Sequence, residues 1–163
     1  MNKKFNAWFE TEKKMVQSES LIFEYDGRED EPFTFAFDDT NTYYDDNNEK
    51  QMKGTMLFVP LYFTGLTDKD DNELYDGDIT TLEVDGDTRY FRVAIKTVVR
   101  EVVSHQSFSD DTAKVAITAV VFEWNGFDLF PCVDKDGVPD NKRMKKVGNV
   151  YEHPELLNKM GIV

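Results

Sequence analysis

The sequence predicts a predominantly β chain closed by a short C-terminal helix. Phe33, Phe35 and Phe37 alternate with Thr34 and Ala36, the period-two pattern of a half-buried strand. Asp85-Gly86 and Asn125-Gly126 each separate two apolar runs, and such dipeptides form two-residue hairpin turns because they tolerate positive φ. The runs around them, Thr88–Val99 and Ala113–Trp124, are rich in Val, Ile and Thr, whose branched Cβ suits a pleated strand and crowds a helical turn. A chain of 163 residues that is 40% hydrophobic, with 13 Phe, 7 Tyr and 2 Trp, has enough apolar surface for a core without covalent staples. One domain over residues 1–163 is expected.

The elements follow in order. Lys4–Phe9 and Lys14–Gln17 flank Glu10–Lys13 as a hairpin. Phe33–Phe37 is a strand whose three Phe share one face. Residues 38–53 are rich in Asp and Asn without apolar period, and read as a mobile acidic loop. Thr55–Phe63 is apolar almost throughout and reads as a buried strand; Pro60, lacking an N–H, belongs at an edge or a bulge. Asp78–Val84 and Thr88–Val99 form the hairpin around Asp85-Gly86-Asp87. Phe91, Val93, Ile95 and Val99 should make an apolar face, with Arg92, Lys96 and Arg100 opposite. Ala113–Trp124 reads as a central strand covered on both faces, returning through Asn125-Gly126 into Phe127–Val133. At the end, Pro154 fits the first turn of a helix, Glu155 complements its dipole and Gly161 stops it.

Charge bounds the partners. The formal net charge is −13. Glu19–Glu49 holds eleven acids against Arg28, and Leu66–Asp87 holds nine against Lys69, so the two stretches carry −10 and −8 while the rest is slightly basic. That field repels nucleic-acid phosphates and attracts basic protein surfaces, so a protein partner is expected and direct nucleic-acid binding is not. The single cysteine, Cys132, forms no internal disulfide, and neither a secretion signal nor a membrane-length apolar run is evident, which points to the cytoplasm and no membrane contact.

The most conspicuous stretch is Thr64–Ile79, TGLTDKDDNELYDGDI. Asp68, Asp70 and Asn72 match the start of a calcium-loop register. Glu73 then stands where that loop needs Gly, and Ile79 where it needs a bidentate Glu, so the calcium reading fails. As a turn the segment is coherent: Asp and Asn bond nearby N–H groups, Gly65 and Gly77 supply permissive dihedrals, and Leu66, Leu74, Tyr75 and Ile79 anchor it. No carboxylate pair stands out for acid–base work. His105 and His153 have no zinc-ligand spacing, and Cys132 after Pro131 reads as a small buried hydrophobe. A Gly-rich phosphate loop and a nucleophile elbow are both missing. No catalytic residue, metal ligand or cofactor is therefore assigned. Arg92, Lys96 and Arg100, and the cluster Lys142–Lys146, are expected to pair internally with the carboxylate-rich segments or to solvate a sheet edge.

Three segments taken together, KKFNAWFETEKKM at the start, FTGLTDKDDNELYDGDI in the middle and VGNVYEHPELL near the end, resemble the signature segments of the YopX family of bacteriophage and prophage proteins. The residues carrying the resemblance are Trp8, Thr64, Gly65, Leu66, Tyr75, Gly77, Asp78, Ile79, Gly148, Asn149, Tyr151 and Pro154. Family members commonly show Asp-x-Asn-Gly-Lys-Glu where this chain has Asp68 to Glu73 without the Gly, and residues 21–53 and 102–143 match no signature. The resemblance implies an all-β fold, a small SH3-like barrel with additional strands and hairpins, and no enzymatic activity.

The leading expectation is an accessory protein that binds another macromolecule in the bacterial host cytoplasm. Asp45, Asp46, Asp68, Asp70, Asp71, Asp76 and Asp78 are its candidate interaction surface. Two alternatives stand beside it: an acidic mimic of nucleic acid that inhibits a host DNA-binding or defence enzyme, and a metal-dependent hydrolase built on Asp or Glu. Self-association is left open by the long apolar strands.

Overall fold

The computed structural model describes residues 4–10, 13–17, 21–25, 34–38, 42–44, 50–52, 58–103 and 112–160. The fold is mostly β, and the chain divides into two compact units, Met1–Phe63 and Thr64–Val163. Among the described residues no helix is long and apolar enough to cross a membrane.

In the first unit, β1 (Phe5–Phe9) lies between β2 (Lys14–Gln17) and the opening half of β7 (Phe58–Thr67), both antiparallel to it. Ala7, Phe9 and Val16 are buried with Phe5 and Phe58 packed against them, and Trp8 donates its Nε1–H to Glu10 at 2.6 Å. The terminal hairpin is thus as the sequence predicts. Pro60 stands opposite Ala7. The stretch read as a fully buried strand is alternately covered instead: Leu61 is buried while Val59 and Tyr62 are exposed.

Two further ladders complete this unit. β3 (Leu21–Tyr25) pairs with β4 (Thr34–Asp38), and β5 (Thr42–Tyr44) pairs with β6 (Lys50–Met52), the latter inside the stretch read as a loop. The shared face of Phe33, Phe35 and Phe37, and the rest of residues 38–53, lie outside the described residues.

The second unit is built on a five-stranded antiparallel sheet. Its strands are β9 (Asp78–Val84), β10 (Asp87–Val103), β11 (Thr112–Trp124), β12 (Phe127–Leu129) and β13 (Lys145–Asn149), ordered β12-β11-β10-β9-β13. The short β8 (Glu73–Tyr75) pairs with β7. Both predicted hairpin turns form, with φ of 53° and 85° at Asp85 and Gly86 and 48° and 79° at Asn125 and Gly126. Positive φ at both positions matches the right-handed twist of the flanking strands. The helical end is a 3-10 helix, Pro154–Met160; the expected stop at Gly161 lies outside the described residues.

Two expectations for this sheet need correction. β10 buries side chains from both faces: Phe91 and Val93 join Leu74, Phe122 and Met144, whereas Ala94 and Val98 join Val121 on the other face beside Phe130. Val99, assigned to the apolar face, is 62% exposed. The cause is cover. β9 accompanies β10 only as far as Arg92, and β12 accompanies β11 only over Phe122–Trp124, so the remaining pairs, out to Val103↔Thr112, form a two-stranded ribbon. Burial there alternates between exposed and partial over Thr112–Thr118, and the β-branched residues serve strand propensity more than burial.

The basic stripe pairs internally, but its ion pairs are with acids of β11 and β12 rather than with the two acidic stretches. Lys96 Nζ lies 2.7 Å from Glu123 and also pairs with Asp128, Arg92 lies 3.4 Å from Glu123, and Arg100 stacks 5.1 Å from the Phe130 ring.

Candidate functional site

Thr64–Ile79 folds as a hairpin loop whose polar atoms are consumed locally. Thr64 Oγ1 donates to the Leu74 carbonyl at 2.7 Å and accepts the Leu66 N–H at 3.1 Å, which closes the strand ends across the loop. Gly65 and Gly77 take φ of 83° and 90°, a region costly for other residues. Leu74, Tyr75 and Ile79 are buried and Leu66 packs against the same core.

Asp68 is the centre of the loop and is 0% exposed. Its Oδ1 accepts the backbone N–H of Asp70 and of Asn72, both at 2.9 Å, and its Oδ2 accepts the Lys146 N–H at 2.8 Å, with the Asn72 amide added at 3.2 Å. Burial alone would push this carboxyl up, but the N–H groups of Lys146, Asn72 and Asp70 together with the Asn72 side chain outweigh it and hold it below the usual carboxylate value.

Asp78, also buried, shows the opposite balance. Desolvation pushes its carboxyl above the usual value, despite Lys146 Nζ at 2.6 Å and the Tyr75 N–H at 2.7 Å. Lys146 also lies 5.4 Å from the Tyr75 ring centre and donates to the Glu73 carbonyl at 3.2 Å. Asp76, half-buried, is likewise raised by desolvation, opposed by the charge of Arg92.

The segment around β13 clamps this loop. Asn141 Nδ2 donates to the Thr67 carbonyl at 2.8 Å, Lys142 Nζ reaches Thr67 Oγ1 at 2.5 Å and Asp71 at 2.6 Å, and the Lys69 N–H donates to the Met144 carbonyl at 2.9 Å. Further on, Val150 N–H donates to the Gly77 carbonyl at 2.9 Å, and Asn149 pairs with Asp78 across the ladder. Asn149 Oδ1 then accepts the N–H groups of Tyr151 and Glu152, starting the turn into Pro154. Gly148 is required by contact: a Cβ there would stand 2.6 Å from His153 Nδ1 and 2.8 Å from its Cγ. The middle and terminal signature segments are therefore two halves of one structural unit.

These placements sort the candidate surface. Asp68 and Asp78 face inward and Asp76 is half-buried, whereas Asp70 and Asp71 are exposed; Asp45 and Asp46 lie outside the described residues. The expected internal pairing of the cluster Lys142–Lys146 is seen in Lys142 with Asp71 and Lys146 with Asp78, whereas sequence reasoning missed Asn141 and His153 as partners that organise the tract. Cys132, read as buried, is exposed. It lies beyond the end of β12, where its N–H donates to Asp140 at 2.9 Å. Among the described residues, no three His, Cys, Asp or Glu side chains converge in a group that could hold a metal ion.

A comparison with curated proteins returns no match. Among solved structures, the chain is similar to the crystal structure of protein EF1440 from Enterococcus faecalis, with a TM-score of 0.52 and 20% identity over 96% of this chain and 99% of that one. That likeness extends the fold to both chains. A match to the YopX protein family over residues 4–158, nearly the whole chain, shows that this chain belongs to the YopX family.

Proposed function

We propose that this protein is a non-enzymatic binding module of phage or prophage origin, a single family domain with an SH3-like barrel in its sheet-rich part, which engages a protein partner in the bacterial cytoplasm. The observation that supports this reading is how the acidic tract uses its carboxylates. Asp68 is committed to backbone N–H groups and Asp78 to Lys146, so the buried acids act as structural links rather than as a free acid–base pair. The loop so fixed presents Asp70 and Asp71 on a rigid base, an arrangement suited to recognition.

A second reading, mimicry of nucleic acid, draws support from exposed Asp70, Asp71, Asp85 and Asp87 in one acidic stretch. Affinity capture from host lysate at low and high salt, read by mass spectrometry, separates the two. A partner retained at high salt supports the module. A nucleic-acid-binding protein held only at low salt, and lost on charge reversal of Asp45, Asp46, Asp70 and Asp71, would replace it with mimicry. Capture of nothing by the full chain would count against both.

A further inference from the structure

Among the described residues, β9 has a ladder neighbour on each side at its start and on one side only at its end. Its pairing with β10 continues to Val84↔Asp87, whereas its pairing with β13 begins at Thr81↔Lys145. The chain before Lys145 does not flank Leu82, because Asp140–Arg143 is wound into a 3-10 turn and the Met144 carbonyl is held by the Lys69 N–H at 2.9 Å. An open cleft of about 520 Å³ is left beside Leu82–Val84. Lys69, Arg143 and Lys145 line it, with Glu83 and Asp85.

The charges in this cleft are unusual for a chain of net −13. Arg143 is tied to Asp140, and Glu83 accepts a hydrogen bond from Thr88 at 2.7 Å. Lys69 and Lys145 are exposed and make no ion pair among the described residues. We infer that the cleft takes an extended acidic peptide of a partner protein, which adds to the sheet in line with β13 along Leu82–Val84 and sets its carboxylates against Lys69, Arg143 and Lys145. This rests on the protein-binding reading above and names the chemistry of the partner.

Two physical arguments favour a peptide over a phosphate group. An unpaired strand edge offers N–H and C=O groups together, and another strand satisfies both where an anion satisfies only donors. Glu83 and Asp85 in the cleft oppose a polyanion, while a peptide that alternates acidic with apolar residues turns its carboxylates toward one face. The edge spans Leu82–Val84, roughly 10 Å at about 3.3 Å per residue, so a short peptide should bind with Kd of about 1 mM.

The test is an NMR titration of the ¹⁵N-labelled full chain with the blocked peptide Val-Glu-Val-Glu-Val, with Val-Lys-Val-Lys-Val and inorganic phosphate as comparisons. The acidic peptide should shift the amides of Leu82–Val84 and Lys145, and the double variant Lys69→Glu/Lys145→Glu should weaken it by about tenfold with the remaining spectrum unchanged. A separate variant, Arg143→Gln, should weaken it less. Equal response to the Lys peptide, phosphate moving these amides when the peptide does not, or no shift at about ten times the expected Kd would each overturn the assignment. The titration reads this cleft alone. A captured partner that survives the double variant would overturn the cleft and leave the binding-module reading intact, and a titrating cleft in a chain that captures no partner would do the reverse.

Discussion

Asp68→Ala is the sharpest perturbation of the acidic tract. It removes the acceptor for the N–H groups of Asp70, Asn72 and Lys146 and for the Asn72 amide, from a side chain that is 0% exposed. Asp70 and Asn72 lie at the surface, so water replaces part of what they lose, about 1 kcal/mol each. The Lys146 N–H, facing inward between loop and β13, is left without a partner at about 2 kcal/mol, giving a loss of about 4 kcal/mol in all. Asp68→Asn keeps an oxygen for Asp70 and Asn72 but turns an NH₂ toward the Lys146 donor, and should cost about half as much.

Urea unfolding measures both variants, read through Trp124 in a Trp8→Phe background so that only the second unit reports. The folded carboxyl of Asp68 lies below its usual value of 3.8, so its stabilisation is present above that pH and is lost as pH falls through the folded value. The deficit of Asp68→Ala should therefore be constant from neutral pH down to about 5 and shrink only in stronger acid. A loss below about 1 kcal/mol, or equal losses for the two variants, would refute the account of the loop.

Other predictions concern the clamp. Gly148→Ala drives a Cβ into the His153 ring and should destabilise the second unit by about 2 kcal/mol in the same urea assay, with His153→Ala in the same chain recovering most of it. Lys146→Met leaves Asp78, 3% exposed, without its cation, at a cost of about 3 kcal/mol near neutral pH. The folded pKa of Asp78 is already raised, so the folded chain protonates before the unfolded one as pH falls, and that deficit should shrink at a higher pH than that of Asp68→Ala. Thr64→Val keeps the shape but removes the hydroxyl that bridges Leu74 and Leu66, and should lower urea stability by about 1 kcal/mol.

The features legible in the sequence are the ones fixed by neighbours along the chain. Asp85-Gly86 and Asn125-Gly126 turn as expected because positive φ is a property of those two residues and the twist of the adjoining strands. The polar spacing of Asp68, Asp70 and Asn72 likewise announced a turn bonded to its own backbone. What stayed hidden depends on distant partners. The second anchor of Asp68 comes from Lys146, 78 positions away, and the need for Gly148 comes from a ring folded back on it. Alternation in β10 located a strand, but which face is covered changes where β9 ends, and no periodicity within β10 records the length of its neighbour. The reading of Ala113–Trp124 as a strand covered on both faces holds at Val121 and Phe122 but not over Thr112–Thr118, for the same reason.

The clamp also orders events in time. β9, β10 and β11 are joined by neighbouring hairpins and can pair as soon as each emerges from synthesis, yet the ties from Asn141 and Lys146 to Thr67 and Asp68 span 74 and 78 residues. Until that last stretch arrives, the outer edge of β9 is bare and Asp68 lacks the N–H that sets its second oxygen. A growing chain thus holds its hairpins without its lock, and is most open to proteases and to mispairing at that stage. The final strand of the sheet acts as a completion signal for the whole second unit.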